Sequence, residues 1–269
     1  MDSSVGLGHL LPGAQLLGQD KGVNETYRGN IEVAGQIVDA FVKVLPPRQL
    51  INELLASVLG RAVGLPLPQA YLVLVDPNEY SGSEMMREAG GTPWVAFATT
   101  AIGFAPMARR VDLQTPDARQ MFLAQWSAWP DAVTFDDWIA NCDRHFGNLL
   151  AGGPGEVWLI DHSHAFTGPS WTAASLDPTC VVRNRLCAAL LPLLTQEAKT
   201  QSLQLVNAAV GRFMQIDVNA ATLAARIRGM LATQEFQSLT SFVTSRLVTT
   251  SYRVANQLGV PLLPFAGPP

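Results

Sequence analysis

The sequence contains few lysines, few cysteines and no long apolar run, and each of these shortages excludes some classes of protein. Only 3 of its 18 basic residues are lysines, and 22 acidic residues give a net charge of −4, so we expect no nucleic-acid partner. The 3 cysteines are odd in number and lack C-x-x-C spacing, which argues against a structural zinc site and predicts a reducing, cytoplasmic location. No apolar run approaches the roughly 18 residues of a membrane span, so we expect no membrane partner.

The composition that remains is that of a globular protein. The 269 residues are 48% hydrophobic and 15% charged, which is enough for one large domain or two packed lobes with a substantial core. No internal repeat is present, and we predict a single domain over residues 1–269. The pattern changes from β-rich to helical near residues 98–106.

The first hundred residues are typical of β-structure around one helix. Four segments rich in β-branched and aromatic residues are predicted as strands: 25–35, 36–45, 70–76 and 92–100. A turn is predicted at Ala34-Gly35, and a glycine-rich turn is predicted over 81–92. Between the second and third strands, apolar residues recur at helical spacing over 48–63, and Gly64 ends that helix. Residues 184–258 are also predicted to be helical.

The densest group of polar residues lies in 141–166, NCDRHFGNLLAGGPGEVWLIDHSHAF. Asp143 and Asn148 precede the short strand LLA, Asp161 closes the strand VWLI, and GGPGE is a hairpin turn between the strands. Because a hairpin brings its two ends together, the three side chains should converge on one mouth. Carboxylate and amide oxygens suit Mg²⁺ with phosphate, and a remaining carboxylate can orient or deprotonate a hydroxyl.

Lys43 is the one lysine in a strand-like segment. By alternation it shares a strand face with Phe41 and Leu45. A lysine among apolar strand residues needs an anionic partner, because burying an unpaired charge is costly. The alternative is an edge lysine whose ammonium group reaches solvent.

At these residues the chain resembles a known family. D-R-H-x-x-N, followed by a hairpin and L-I-D, is similar to the catalytic loop and metal-binding aspartate of the protein-kinase-like fold. The flanking residues, FDDWIANCDRHFGN and IDHSHAF, are most similar to HipA-like kinases and the related phosphatidylinositol kinases. Upstream, FVKVLPPRQLINELLASVLGRAVGLPLPQAYLV resembles the family's strand lysine, its following helix and the link into the next strand. The resemblance covers roughly residues 14–190.

The resemblance implies an α+β fold of two lobes. The N-lobe, about residues 1–100, would be an antiparallel sheet with one helix, and the C-lobe, about residues 101–269, would be mainly helical. The implied activity is ATP- and Mg²⁺-dependent transfer of the γ-phosphoryl group to a hydroxyl, with Ser or Thr of an unidentified protein as the first choice of acceptor.

The resemblance also assigns roles to residues. Asp143 would be the catalytic aspartate, His145 would support its loop as a buried, hydrogen-bonded side chain, and Asn148 and Asp161 would hold Mg²⁺. Lys43 would contact the α- and β-phosphates. The helix residue Glu53 would pair with Lys43, although its position on the helical wheel also fits an exposed glutamate. Further nucleotide contacts are expected from Gly22, Asn24, Phe97 and Thr99.

Several features depart from the family. Asp161 is followed by His162-Ser163 rather than Phe-Gly, so a switch built on that phenylalanine is not implied. The loop 18–29 has three glycines but neither G-x-G-x-x-G nor a serine, so the serine autophosphorylation known in HipA proteins is not implied. Its backbone N–H groups still suit phosphate.

Two alternatives stay open. His145, Asp161, His162 and His164 would be the ligands of a metal-dependent hydrolase. Alternation along one strand places His162 and His164 on one face and Asp161 on the other, which splits that set. The second alternative is a pseudokinase or binding module that holds nucleotide without turnover. The sequence leaves the oligomeric state open.

Overall fold

A computed structural model of the chain describes residues 3–17, 24–80, 93–153 and 155–260. The described strands are β1 (Gly6–Leu10), β2 (Gln15–Leu16), β3 (Thr26–Val33), β4 (Gln36–Lys43), β5 (Ala70–Val75), β6 (Trp94–Thr100), β7 (Ala105–Pro106), β8 (Leu149–Ala151) and β9 (Val157–Leu159). The described helices are α1 (Pro47–Ala62), α2 (Pro116–Ala124), α3 (Trp129–Trp138), α4 (Arg185–Leu190), α5 (Gln196–Phe213), α6 (Val218–Ala224), α7 (Thr233–Val248) and α8 (Thr250–Leu258). The predicted turn at 81–92 lies outside the described residues.

The first six strands form one sheet in the order β1-β5-β6-β4-β3-β2, and a pairing between β1 and β3 closes five of them into a barrel. The predicted turn at Ala34-Gly35 joins β3 to β4, with positive φ at both residues. Alternate residues of each strand fill the barrel with a separate small core, among them Ile31, Val42, Val73, Ala96 and Ala98. The side chains on the other face of β4 and β6 therefore point out of the barrel, toward the rest of the protein.

Strand β1 closes the barrel because two of its residues are glycines. A Cβ at Gly6 would lie 2.5 Å from the Tyr71 ring, and a Cβ at Gly8 would lie 2.5 Å from the carbonyl oxygen of Glu32. The absence of side chains lets β1 lie between β5 and β3. Strand β1 runs parallel to β5, so the prediction of an antiparallel sheet is wrong at this one pair. Glycine has low strand propensity, and the sequence pattern did not indicate β1.

Helix α1 packs against the outer face of the barrel. It begins with Pro47 in its first turn and ends before Gly64, whose φ is +82°, as predicted. Every residue from Leu50 to Gly60 is buried. A helix that is buried on all sides carries its polar residues into the interior with the apolar ones.

The rest of the chain confirms the predicted helices and hairpin. Strands β8 and β9 pair antiparallel, with Leu149 opposite Leu159, and β7 pairs with β8. Helix α3 contacts α5 and α8, and α5 also contacts α8. One hydrophobic core runs from α1 through the hairpin into these helices. Among the described residues, no helix is both long and apolar enough to cross a membrane.

Candidate active site

A cavity of about 660 Å³ lies between the outer face of the barrel and the β8–β9 hairpin. This volume is within the usual range for small-molecule sites. The cavity brings together predicted site residues from separate parts of the sequence: Asn24, Lys43, Glu53, Phe97, Thr99, Asp143, His145, Asn148 and Asp161. Gly22, and the loop over 18–23, lie outside the described residues.

Lys43 is the last residue of β4 and joins two carboxylates. Its Nζ lies 2.8 Å from Glu53 Oε1 and 3.3 Å from Asp161 Oδ2. Burial acts to lower the pKa of Lys43, but the negative charges of Asp161 and Glu53 outweigh burial and raise the pKa above its usual value. Lys43 is therefore a fixed cation in the wall of the cavity.

Glu53 lies in the interior, with only 1% of its side chain exposed. Its Oε1 accepts a hydrogen bond from Lys43, and its Oε2 accepts one of 2.9 Å from the backbone N–H of His162. Burial acts to raise the pKa of Glu53, but the charge of Lys43 and the hydrogen bond from His162 outweigh it, so the pKa is lowered. Glu53 thus links α1, β4 and the segment after β9 through one ionised carboxylate.

Asp161 follows β9 in a left-handed conformation, with φ at +60°. Its Oδ1 accepts a hydrogen bond of 2.9 Å from Ser163 Oγ, and its Oδ2 pairs with Lys43. Burial acts to raise the pKa of Asp161, but the Lys43 charge and the Ser163 hydrogen bond hold it well below the usual range. A non-glycine residue in this conformation is strained, and such strain is concentrated at functional sites.

Asn148 lies beside Asp161 because the hairpin joins their backbones. The N–H of Ile160 donates to the Asn148 carbonyl at 3.1 Å. The amide Nδ2 of Asn148 donates 2.9 Å to the carbonyl of Asp143, which leaves Oδ1 as the atom that can act as a cation ligand.

Asp143 presents its carboxylate at the rim of the cavity. Its Oδ1 accepts a hydrogen bond of 2.5 Å from Arg185, and its Oδ2 lies 3.8 Å from His145 Nε2. His145 is 43% exposed, so the expectation of a buried histidine beneath the loop is wrong. The ring instead accepts a hydrogen bond at Nδ1 from the N–H of Gly147, and a Cβ at Gly147 would lie 2.6 Å from that ring.

The buried support of this loop is Arg144. Its guanidinium is fully buried and pairs with Asp136 of α3 at 2.9 Å. It also donates to the carbonyl oxygens of Asn148, at 3.2 Å, and Ile160, at 2.6 Å. One arginine thus holds the loop, the hairpin and α3 together. Sequence reasoning missed this role, although the FDDW segment just upstream supplied the aspartate that signals it.

Asn52, next to Glu53, is a second buried support that sequence reasoning missed. Its Nδ2 donates to the carbonyl oxygens of Ser163, Ala165 and Gly168 at 2.7–3.1 Å, and its Oδ1 accepts from the Trp171 indole at 2.7 Å. The segment after Asp161 is therefore tied to α1. No local signal in the sequence indicates these bonds, since the partners lie more than a hundred residues away.

Phe97 and Thr99 line the cavity from β6, on the same face of the sheet as Lys43. In the register of β4 and β6, Phe97 lies opposite Lys43, and Thr99 lies opposite Phe41. Apolar residues, including Leu67, Leu150 and Leu159, also line the cavity. Asn24 reaches the cavity from the end of the loop before β3 and donates 2.8 Å to Gln49. The predicted roles of these residues in nucleotide binding stay predictions.

The histidines do not assemble a metal site. Within the described residues, no group of three or more His, Cys, Asp or Glu side chains could hold a metal ion. His162 is buried, with its ring edge-on to Phe135 and its Nδ1 3.6 Å from Glu53. Burial, reinforced by the charge of Arg144, lowers the pKa of His162. His162 is thus a neutral core residue, and the hydrolase hypothesis has no ligand set in this part of the chain.

A strand lysine that joins a helix glutamate to an aspartate after a hairpin is the arrangement of protein-kinase-like phosphotransferases. Comparison with known proteins agrees. A family model described as HipA-like kinase matches residues 39–216, more than half of the chain. The chain therefore belongs to the HipA-like kinase family and is a phosphotransferase.

One solved structure supports the fold independently. The crystal structure of a Helicobacter pylori proinflammatory kinase, CtkA, matches with a TM-score of 0.57. The match covers 93% of this chain and 96% of that chain at 12% sequence identity, so it shows the fold alone. No curated protein sequence matches the chain.

Proposed function

We propose that this protein is an ATP- and Mg²⁺-dependent kinase that transfers the γ-phosphoryl group to a serine or threonine hydroxyl of a protein. In this proposal the barrel part, about residues 1–100, and the helical part, about residues 101–269, are two lobes of one domain, with the nucleotide between them. A cytoplasmic location fits the three cysteines, which are all free thiols.

The observation that carries the proposal is the charge arrangement around Lys43. One cation, itself held by Glu53 and Asp161, lies in the same cavity as Asp143 and Asn148. Phosphoryl transfer depends on positioning and charge stabilisation more than on covalent chemistry by the protein. Lys43, held in place by Glu53 and Asp161, would meet both requirements for a bound triphosphate.

The donor atoms fit Mg²⁺ and a nucleoside triphosphate. The lowered pKa of Asp161 keeps it a carboxylate, and Asn148 adds an amide oxygen, so both are hard oxygen ligands. Bound Mg²⁺ would neutralise phosphate charge. Lys43 would bind the α- and β-phosphates, while Phe97, Thr99 and their apolar neighbours would enclose the base. Asn24 and Gly22 would contact the phosphates from the loop before β3.

Asp143 would act on the acceptor. Its carboxylate lies at the rim of the cavity, where it can accept a hydrogen bond from the incoming hydroxyl and orient the oxygen toward the phosphate. His145, partly exposed beside Asp143, would line the acceptor side of the same rim.

Calorimetric titration tests the proposal. Wild type should bind ATP with Mg²⁺ and bind it much more weakly without, and Asp161→Asn should lose the Mg²⁺ dependence. Asp177→Asn is the matched control, because Asp177 is exposed and does not line the cavity. Binding that is indifferent to Mg²⁺, or unchanged in Asp161→Asn, would refute the metal assignment. Mg²⁺-dependent binding without any phosphoryl transfer would favour the pseudokinase alternative.

A further inference from the structure

The carboxylate of Asp143 is held from outside the cavity by an arginine that the proposed reaction has not used. Arg185, the first residue of α4, donates 2.5 Å to Asp143 Oδ1. Asp143 lines the cavity, whereas Arg185 does not. With the nucleotide in the cavity beside Lys43 and Phe97, the acceptor would reach Asp143 from the rim, where Arg185 is bonded to it.

Two further exposed arginines lie near Arg185 in the chain or line the cavity. Arg183 is exposed two residues before Arg185, and Arg109 is exposed at the cavity rim. Neither forms an ion pair with a residue in the described ranges. His145 adds a partly exposed imidazole next to Asp143. The two other acids among the described residues that line the cavity, Glu53 and Asp161, are paired with Lys43.

The ion pair between Arg185 and Asp143 is easily exchanged. The Arg185 side chain is 45% exposed and the Asp143 side chain is 32% exposed. Exposed ion pairs contribute little net stability, so a second anion can take over the arginine at small cost. Only one nitrogen of Arg185 is bonded to Asp143, and a guanidinium can bind a carboxylate through two parallel hydrogen bonds.

We propose that the acceptor serine or threonine is flanked by acidic side chains, and that a carboxylate of the acceptor takes Arg185 from Asp143. Asp143 is then released to accept the hydrogen bond of the acceptor hydroxyl. Arg185 is in this way a specificity-determining residue that couples recognition of an acidic segment to exposure of Asp143. This inference rests on the proposed function and names its substrate class.

Three synthetic peptides test the inference. Each contains one serine at the same position, flanked by glutamate, by glutamine or by lysine, and transfer from γ-labelled ATP gives kcat/KM for each. Wild type should prefer the acidic to the neutral peptide by about tenfold or more, the worth of one charge-assisted hydrogen bond. Arg185→Gln should bring that ratio near one, and Arg185→Lys should retain part of it. Arg183→Gln, at the neighbouring exposed arginine, is the matched control and should lower the ratio much less than Arg185→Gln does, because Arg183 is not bonded to Asp143.

The ratio of kcat/KM for the acidic peptide to kcat/KM for the neutral peptide separates substrate recognition from structural damage, because both values are measured on the same variant. A wild type that phosphorylates the three peptides equally, or an Arg185→Gln variant that keeps the acidic preference, would overturn the inference and leave the proposed kinase intact. If wild type binds Mg²⁺-ATP but transfers phosphate to none of the peptides, the protein acceptor of the proposed function fails, and the inference fails with it.

Discussion

Replacing Lys43 with methionine should destabilise the folded protein as well as remove activity. The substitution leaves Glu53 1% exposed and without its cation, while Asp161 remains nearby as a like charge. Removing one partner of a buried ion pair costs about 3–5 kcal/mol, because the other charge stays in a poorly solvated place. We expect a loss of that order in the free energy of unfolding at neutral pH.

A double-mutant cycle of Lys43 and Glu53 separates the contribution of their ion pair to the free energy of unfolding from the loss of packing at each site. Glu53→Gln leaves Lys43 paired with Asp161, so it should cost less than Lys43→Met, about 1–2 kcal/mol. The double variant, with no charge at either position, should be more stable than the sum of the two single changes. The expected coupling is on the order of 1–3 kcal/mol.

The pH dependence gives a sharper test, because loss of Lys43 should reverse the direction in which the pKa of Glu53 is shifted. In wild type the pKa values of Glu53 and Asp161 are lowered, so their contribution to stability is fully present above the usual carboxylate pKa and lost as the pH falls through the folded-state pKa. In Lys43→Met, a buried Glu53 without its cation should have a raised pKa. Protonation of Glu53 then removes its unpaired buried charge. The loss in the free energy of unfolding caused by Lys43→Met should therefore be larger at about pH 8 than at about pH 5.

Urea unfolding across that pH range measures these effects. Lys199→Met is the matched control, since Lys199 lies on α5 and forms no ion pair with a described residue. Its change should stay within about 0.5 kcal/mol at every pH. The reasoning would be refuted by a Lys43→Met deficit that does not depend on pH, or by a Glu53→Gln variant less stable than Lys43→Met.

Three further predictions concern single residues. Asn52→Leu should cost about 2–4 kcal/mol in urea unfolding and speed amide exchange near Trp171, because it removes the bonds to three carbonyl oxygens and leaves the Trp171 indole N–H unsatisfied; unchanged exchange there would show that these bonds do not hold the segment to α1. Arg144→Met should cost about 3–5 kcal/mol, since Asp136 is left as a buried, unpaired charge, and Arg144→Met/Asp136→Leu should recover much of it. Asp161→Asn should lower kcat for phosphoryl transfer about a hundredfold or more, because it removes the charge of a proposed metal ligand. A rate near that of wild type would refute the assignment of Asp161 as a site residue.

The elements that the sequence predicted well are those with a strong local pattern. The apolar spacing of 48–63 and the glycine after it predicted α1, and β-branched alternation predicted β3 to β6. The hairpin β8–β9 was predicted because two short apolar runs flank a glycine-rich turn. Strand β1 was missed because GLGHL has no such pattern, and its glycines matter only once Tyr71 and Glu32 are packed against them.

The chemical character of the site was also local in origin. The residues Asp143, Asn148 and Asp161 flank one hairpin, so their convergence follows from chain geometry over 19 positions. The burial of the site residues, in contrast, could not be predicted from the local sequence. His145 was expected to be buried and Glu53 was left open, since exposure depends on how α1, the loop and α3 pack together. Arg144, Asn52 and Arg185 gained their roles from partners on other elements.

The sequence by itself determined the mixed α+β class, the order of most elements, and the set of acids, amide and lysine that meet in the cavity. Short-range periodicity and turn chemistry predicted the elements and the hairpin residues, because they act within one element, whereas the two-lobed class and the meeting of Lys43 with those residues were implied by the family resemblance. Tertiary structure decided that the sheet closes into a barrel and that Glu53 is buried as the partner of Lys43. It also decided that Arg185 holds Asp143. Each of these depends on burial and on contacts between distant segments, which no local pattern encodes.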